Sequence, residues 1–162
     1  MTYSIWLVPS HQDKKYLNKI IHNLAKKHDA PKFSSHITVY SGITSLKKAK
    51  EAVQRINSCK VRVYKFGIGQ SDYLWKTIFV KIKKGKNLSK IHSTLYEALG
   101  TKYDFEPHIS LIYKKLDSTT KLNIKNSLKI KKSFSFDGIV IIKSSKNVKA
   151  WKTLYKARLG VA

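Results

Sequence analysis

Ser34–Tyr40 reads SSHITVY, and Pro107–Tyr113 reads PHISLIY. Both are short runs of β-branched and aromatic residues set between turn-forming or charged neighbours, the pattern of a strand. In an extended chain the side chains at i and i+2 leave one face about 7 Å apart. Each strand therefore presents an imidazole beside a hydroxyl: His36 with Thr38, and His108 with Ser110. The hydroxyl can donate to a non-bridging phosphate oxygen, and an imidazole of pKa about 6.5 can give or take a proton near neutrality. Two such pairs facing each other would supply a general base for water and a general acid for a leaving oxygen, each contributing roughly 10²- to 10⁴-fold. That chemistry asks for no metal and no cofactor.

The elements around the two strands recur in the same order. Residues 3–8 (YSIWLV) alternate as a strand that ends at Pro9-Ser10, and Leu17, Ile20, Ile21 and Leu24 then carry the period of an amphipathic helix over roughly 13–28. After the first histidine strand, Ser45 caps a helix striped by Leu46, Ala49, Val53 and Ile56. Residues 60–68 and 74–82 read as two strands around a turn at Gly69–Asp72, and Leu88, Ile91, Leu95 and Leu99 mark a helix stopped by Gly100. Behind the second histidine strand come a weaker helix from Asp117 to about Leu128 and two strands, FSFDGIVIIK and AWKTLYKARL. One β-α-β-α-β pattern is used twice. It predicts an α+β fold: a single domain over residues 1–162, with two pseudo-twofold lobes, an antiparallel sheet and flanking helices in each, and a central cleft.

Three of the six histidines have a Ser or Thr two places on. The third, His92 with Thr94, lies on a helix, where i and i+2 diverge around the axis and cannot share a ligand. His11, His22 and His28 lack the hydroxyl partner and read as surface residues. What singles out His36 and His108 is their joint occurrence on the same kind of element, with the same parity, 72 positions apart.

Composition bounds the partners. The chain has 162 residues, 33 basic and 9 acidic, for a formal net charge of +24; only Arg55, Arg62 and Arg158 are arginine. A field this positive concentrates polyanions, so RNA, DNA or a phosphorylated small molecule is the natural partner. Cys59 is the single cysteine, which excludes an intrachain disulfide framework and a multi-cysteine zinc site and fits a reducing compartment, with cytoplasmic location the expectation. The densest apolar run, Ile139–Ile142, is far too short to span a membrane, and no heptads or Gly-rich phosphate loop occur, so a soluble monomer is expected.

Taken together, HITV and HISL in apolar strands some seventy residues apart resemble the repeated His-x-Thr/Ser signature of the 2H phosphoesterase superfamily. Within it the chain looks most like the plant-type cyclic phosphodiesterases, through YSIWLVP, APKFSSHITV, YDFEPHISLIY and FDGIVIIKSSKNVKAWKTLYKARL in that order, from Tyr3 to Leu159. The resemblance implies metal-independent ring opening of ADP-ribose 1″,2″-cyclic phosphate or of nucleoside 2′,3′-cyclic phosphates to the 2′-phosphate. Other readings are a 2′-5′ oligoadenylate or RNA 3′-end phosphodiesterase, and an inactive RNA-binding module. Carried over residue by residue, His36 and His108 are catalytic, Thr38 and Ser110 bind phosphate, and Trp6 and Tyr113 stack on the substrate. The pseudo-symmetry makes the choice of base and acid nearly degenerate; His108 is read as base and His36 as acid, with the reverse left open. Strand alternation puts Ile112 rather than Tyr113 on the face of His108, so Tyr113 needs a bulge or strand end to reach the cleft. Tyr40 shares the parity of His36 and Thr38 and is expected to narrow the cleft or add a stacking surface. Lys114 and Lys115 are the nearest cationic candidates.

Overall fold

A computed structural model describes residues 1–160; the last two residues of the expected domain lie outside the described part. The chain runs β1 (Tyr3–Pro9), α1 (His11–His28), β2 (Ile37–Ile43), α2 (Leu46–Gln54), β3 (Val61–Gln70), β4 (Ile78–Ile82), α3 (Lys86–Leu99), β5 (His108–Ile112), α4 (Ser118–Ser127), β6 (Ser133–Lys143) and β7 (Lys152–Arg158). Single 3-10 turns at Leu74–Lys76 and Val148–Ala150 precede β4 and β7. Helix ends follow local chemistry. The Ser45 hydroxyl accepts from the Lys48 amide at 3.2 Å and Asp117 from the Thr120 amide at 2.7 Å. Gly100 closes α3 at φ +70, where only a residue without a Cβ sits easily.

All strand pairs are antiparallel, in the order β2-β1-β6-β3-β4-β5, with β7 also on β6. Each lobe has its antiparallel sheet, as expected, and the two lobes share strands. The third strand of each repeat is exchanged: β6 completes β2-β1, and β3 completes β5-β4. Both strands are long enough to serve two neighbours, so Val61–Tyr64 pairs with β6 while the rest of β3 pairs with β4, and the halves fuse into one seven-stranded sheet.

The duplication is visible in the register itself. Ile5, Trp6 and Leu7 of β1 oppose Tyr40, Thr38 and Ile37 of β2. Ile78, Phe79 and Val80 of β4 oppose Ile112, Ser110 and Ile109 of β5 in the same way. Each time one residue is skipped, Val39 in one half and Leu111 in the other. Such a bulge resets the alternation by one place. Up to the bulge the histidine and its hydroxyl share the cleft face; after it, Tyr40 and Ile112 turn into the core, where Tyr40 is 0% exposed and Ile112 1%. The core also holds Phe134, Phe136, Leu17, Ile21, Leu88 and Ile91, which join the helices to the sheet. Among the described residues no helix is long and apolar enough to cross a membrane.

Candidate active site

A cavity of about 670 Å³ takes residues from both halves: His36, Thr38 and Trp6 from one, His108, Ser110 and Tyr113 from the other. Six of the seven site residues read from the sequence thus meet on one cavity. The bulges explain two further placements. Tyr113 comes five positions after His108, just past the end of β5, and the reset alternation returns it to the cavity wall; Ser41, five positions after His36, reaches the wall for the same reason.

Tyr40 is the exception. The bulge at Val39 pairs it with Ile5 rather than continuing the Thr38 face. It is fully buried, its ring lies 5.9 Å from that of His92 and 5.5 Å from that of Tyr103, and its hydroxyl is 3.2 Å from that of Thr101. A ring with no exposed surface neither narrows the cleft nor stacks on a ligand there.

The two imidazoles are held alike. His36 Nδ1 lies 2.8 Å from the Ser34 carbonyl, and His108 Nδ1 lies 2.8 Å from the Glu106 carbonyl. A carbonyl only accepts, so Nδ1 carries the proton in both neutral rings and Nε2 is left for the cavity. Their surroundings differ. Trp6 stacks flat on His36, with centroids 3.5 Å apart and planes 8° from parallel, and Trp151 and Phe33 stand edge-on to the same ring. Burial pulls the His36 pKa down to about 4; the Ser34 carbonyl opposes this, and the charge of His108 adds to it. His108 is partly exposed and meets Phe79 edge-on at 5.5 Å. Its pKa is also lowered, first by burial; the Glu106 carbonyl holds it up, Lys76 pushes it down and the Glu106 carboxylate pulls it up.

The hydroxyls differ as well. Ser110 donates to the Trp75 carbonyl at 2.6 Å, so its proton is already committed, whereas Thr38 lines the cavity opposite Trp6. Tyr113 is a wall rather than a free platform: its ring stacks on Phe33 at 4.0 Å and meets Trp75 and Trp151 edge-on at 5.0 and 5.7 Å. Burial raises its hydroxyl pKa well above the usual tyrosine range.

Trp75 and Trp151 line the cavity and were not read from the sequence, because the strands expected over 74–82 and over AWKTLYKARL absorbed them. In the structure Trp75 sits in the 3-10 turn before β4 and Trp151 directly follows the turn before β7, with its indole Nε1 donating to the Ser145 carbonyl at 2.7 Å. A signal was present: Trp-Lys-Thr stands at both 75–77 and 151–153. The cations at the cavity are Lys76, paired with Glu106 at 3.1 Å, and Lys146. Lys114 is spent on the end of α1, donating to the carbonyls of His28 at 2.6 Å and Asp29 at 3.3 Å, and Lys115 lines a separate small pocket. Beyond Trp6, the Ser4 hydroxyl links those of Ser41 and Ser144 at 2.9 and 2.8 Å on the same wall. Among the described residues no three His, Cys, Asp or Glu side chains converge as a metal site.

A duplicated antiparallel sheet that brings two His-x-Thr/Ser strands to one cavity is the architecture of the 2H phosphoesterases. The chain belongs to the family described as cyclic phosphodiesterase-like protein, whose sequence model matches residues 1–159. No curated protein matches it in sequence. Among solved structures, TT0787 of Thermus thermophilus superimposes with a TM-score of 0.67 at 14% identity, over 98% of this chain and 98% of that chain. E. coli LigT complexed with 3′-AMP gives a TM-score of 0.64 at 14% identity, over 97% of each. E. coli LigT complexed with phosphate gives 0.61 at 15% identity, over 97% of this chain and 96% of that chain. At such identities the likeness is one of fold.

Proposed function

We propose that the protein is a metal-independent cyclic phosphodiesterase that opens the five-membered ring of nucleoside 2′,3′-cyclic phosphates, leaving the 2′-phosphate, or of ADP-ribose 1″,2″-cyclic phosphate. The observation that carries this reading is the pair of imidazoles, each tied back through Nδ1 to the carbonyl two residues earlier and each lining one cavity. Family membership supports phosphodiester chemistry, and E. coli LigT, which shares the fold, is complexed with 3′-AMP and with phosphate.

In the proposed reaction His108 Nε2, on the partly exposed side, takes a proton from water as the water oxygen bonds to phosphorus. His36 Nε2 gives its proton to the ribose oxygen as the P–O bond to it breaks. In the resting protein both rings favour the neutral form. His36 therefore acquires its proton together with the substrate, because a phosphate anion in a water-poor pocket favours the imidazolium beside it. The Thr38 hydroxyl donates to a non-bridging oxygen, and Trp6 covers His36 and flanks the ribose or base.

The test is incubation of the purified protein with excess EDTA and a panel of 2′,3′-cyclic nucleotides, 2′-5′ oligoadenylate and ADP-ribose 1″,2″-cyclic phosphate, followed by phosphorus NMR. Conversion of the cyclic signal to a 2′-monoester with EDTA present is expected. No turnover of any cyclic phosphate, or turnover abolished by EDTA, overturns the reading; cleavage of the 2′-5′ linkage alone moves the substrate to that class.

A further inference from the structure

The sheet continues past His108, which lines the cavity, onto β4 and β3. On the open face of the sheet, His108 is the cross-strand partner of Lys81, and Lys81 is the partner of Gly67. Gly69 opposes Phe79, and a Cβ there would fall 2.4 Å from the Phe79 ring and 3.0 Å from the Lys81 side chain. The glycines thus leave β3 bare on this face, so that the Lys81 side chain lies across it, with Nζ 5.9 Å from the centre of the Phe66 ring. Phe66 is the extra residue where the β3–β4 register shifts, and it is 59% exposed; Tyr64, two residues earlier, is 49% exposed.

Phe66 and Tyr64 thus put two large exposed aromatics close together on one strand, and no cover for them exists among the described residues. Neighbouring strands lie about 4.8 Å apart, which places the Phe66 backbone roughly 10 Å from that of His108. That is one to two nucleotide steps of an extended strand. Aromatic faces interleaved with lysine suit single-stranded nucleic acid, since every base offers a π face and every linkage a negative charge. The net charge of +24 favours such a partner over an apolar one.

The geometry points to a single-stranded RNA track in which the reacting 3′ end occupies the cavity and the preceding nucleotides run over Lys81 onto Phe66 and Tyr64. It rests on the phosphodiesterase reading, from which it selects RNA ends over free cyclic mononucleotides as the preferred substrate class.

The test compares a tetranucleotide ending in a 2′,3′-cyclic phosphate with the corresponding mononucleotide. Expected is a higher kcat/KM for the tetranucleotide in the wild-type protein. Phe66→Ala should lower it by roughly 5- to 150-fold while leaving the mononucleotide rate alone, and Tyr64→Ala should act in the same direction. Lys81→Gln should lessen the salt slope of tetranucleotide binding by about 0.7. Both aromatics are exposed, so truncation should not unfold the chain. Equal effects of Phe66→Ala on both substrates, or none on either, overturn the track. Anisotropy of a labelled tetranucleotide is measured in parallel. Weaker binding by Phe66→Ala supports the track even if no substrate is turned over, in which case only the activity reading falls. Displacement of the RNA by polyglutamate at equal charge reduces the surface to unspecific charge and overturns the track.

Discussion

The His36 half and the His108 half share strand register, bulge position, Nδ1 anchor and hydroxyl spacing, yet they present their imidazoles differently. The difference traces to one pair of equivalent positions. Trp6 on β1 faces Thr38, and Phe79 on β4 faces Ser110. The indole lies flat on His36, whereas the smaller ring only meets His108 edge-on, in company with the charged pair Lys76 and Glu106. A duplicated scaffold supplies two identical proton-transfer groups; the side chain on the neighbouring strand makes them unlike, one sealed and one open to water. An acid and a base can arise from the same motif in this way, because burial opposes the charged form of an imidazole by an amount set by its cover.

The largest effect expected is from removing either ring. His36→Ala and His108→Ala should each lower kcat/KM by roughly 10²- to 10⁴-fold, and the double variant should lose little more than the worse single one, since the two act in one transition state. A p-nitrophenyl nucleotide diester separates the roles, because its leaving group needs no proton. The His36→Ala defect should shrink on that substrate and the His108→Ala defect should persist. The opposite pattern would exchange acid and base, and persistence of both would remove the acid.

Next in size is the pH response. The reaction needs His108 neutral and His36 protonated, the proton of His36 being taken up as substrate binds. With the His36 pKa at about 4 and that of His108 also below its ordinary value, that state is most populated on the acid side of 6.5. The kcat/KM profile should be a bell that peaks below neutrality, declining at lower pH as the base is protonated and at higher pH as the acid is emptied. A flat profile from pH 5 to 8 would contradict it. NMR titration gives a direct reading: the His36 ring should titrate near pH 4 in the free protein and move upward when inorganic phosphate is added. Trp6→Phe gives His36 the kind of neighbour that His108 has, so its pKa and the acid limb should rise, with turnover reduced less than about tenfold. An unmoved limb would detach the His36 pKa from its indole cover.

What was legible in the sequence was whatever depends on local period. The stripe Leu17, Ile20, Ile21 and Leu24 became α1, Gly100 stopped α3, and the His-x-Thr/Ser spacing put His36, Thr38, His108 and Ser110 on one cavity. Three things depended on partners far along the chain. The exchange of β3 and β6 is a choice between similar apolar strands that periodicity cannot distinguish. Trp75 and Trp151 sit at turns embedded in strand-like sequence, where β propensity and the local hydrogen bonds disagree. The bulges at Val39 and Leu111 carry no Gly or other local marker; only the opposing strands define them.

The bulge also makes the smallest prediction, and the one that most sharply separates alternation from register. Alternation places Tyr40 beside the substrate, in which case losing its hydroxyl or its ring would alter KM. Register places it behind the cleft wall, with its hydroxyl on Thr101 and its ring among His92 and Tyr103. Tyr40→Phe should therefore leave kcat and KM within about twofold of wild type and lower stability by about 1 kcal/mol, the usual net worth of one hydrogen bond. Tyr40→Ala should destabilise by about 3–5 kcal/mol through the cavity it leaves, with activity lost only in proportion to the unfolded fraction. Urea melts read beside turnover distinguish the two outcomes: a specific rise in KM in the folded Tyr40→Phe protein would mean that the tyrosine reaches the substrate and that the β1–β2 register is not the one described.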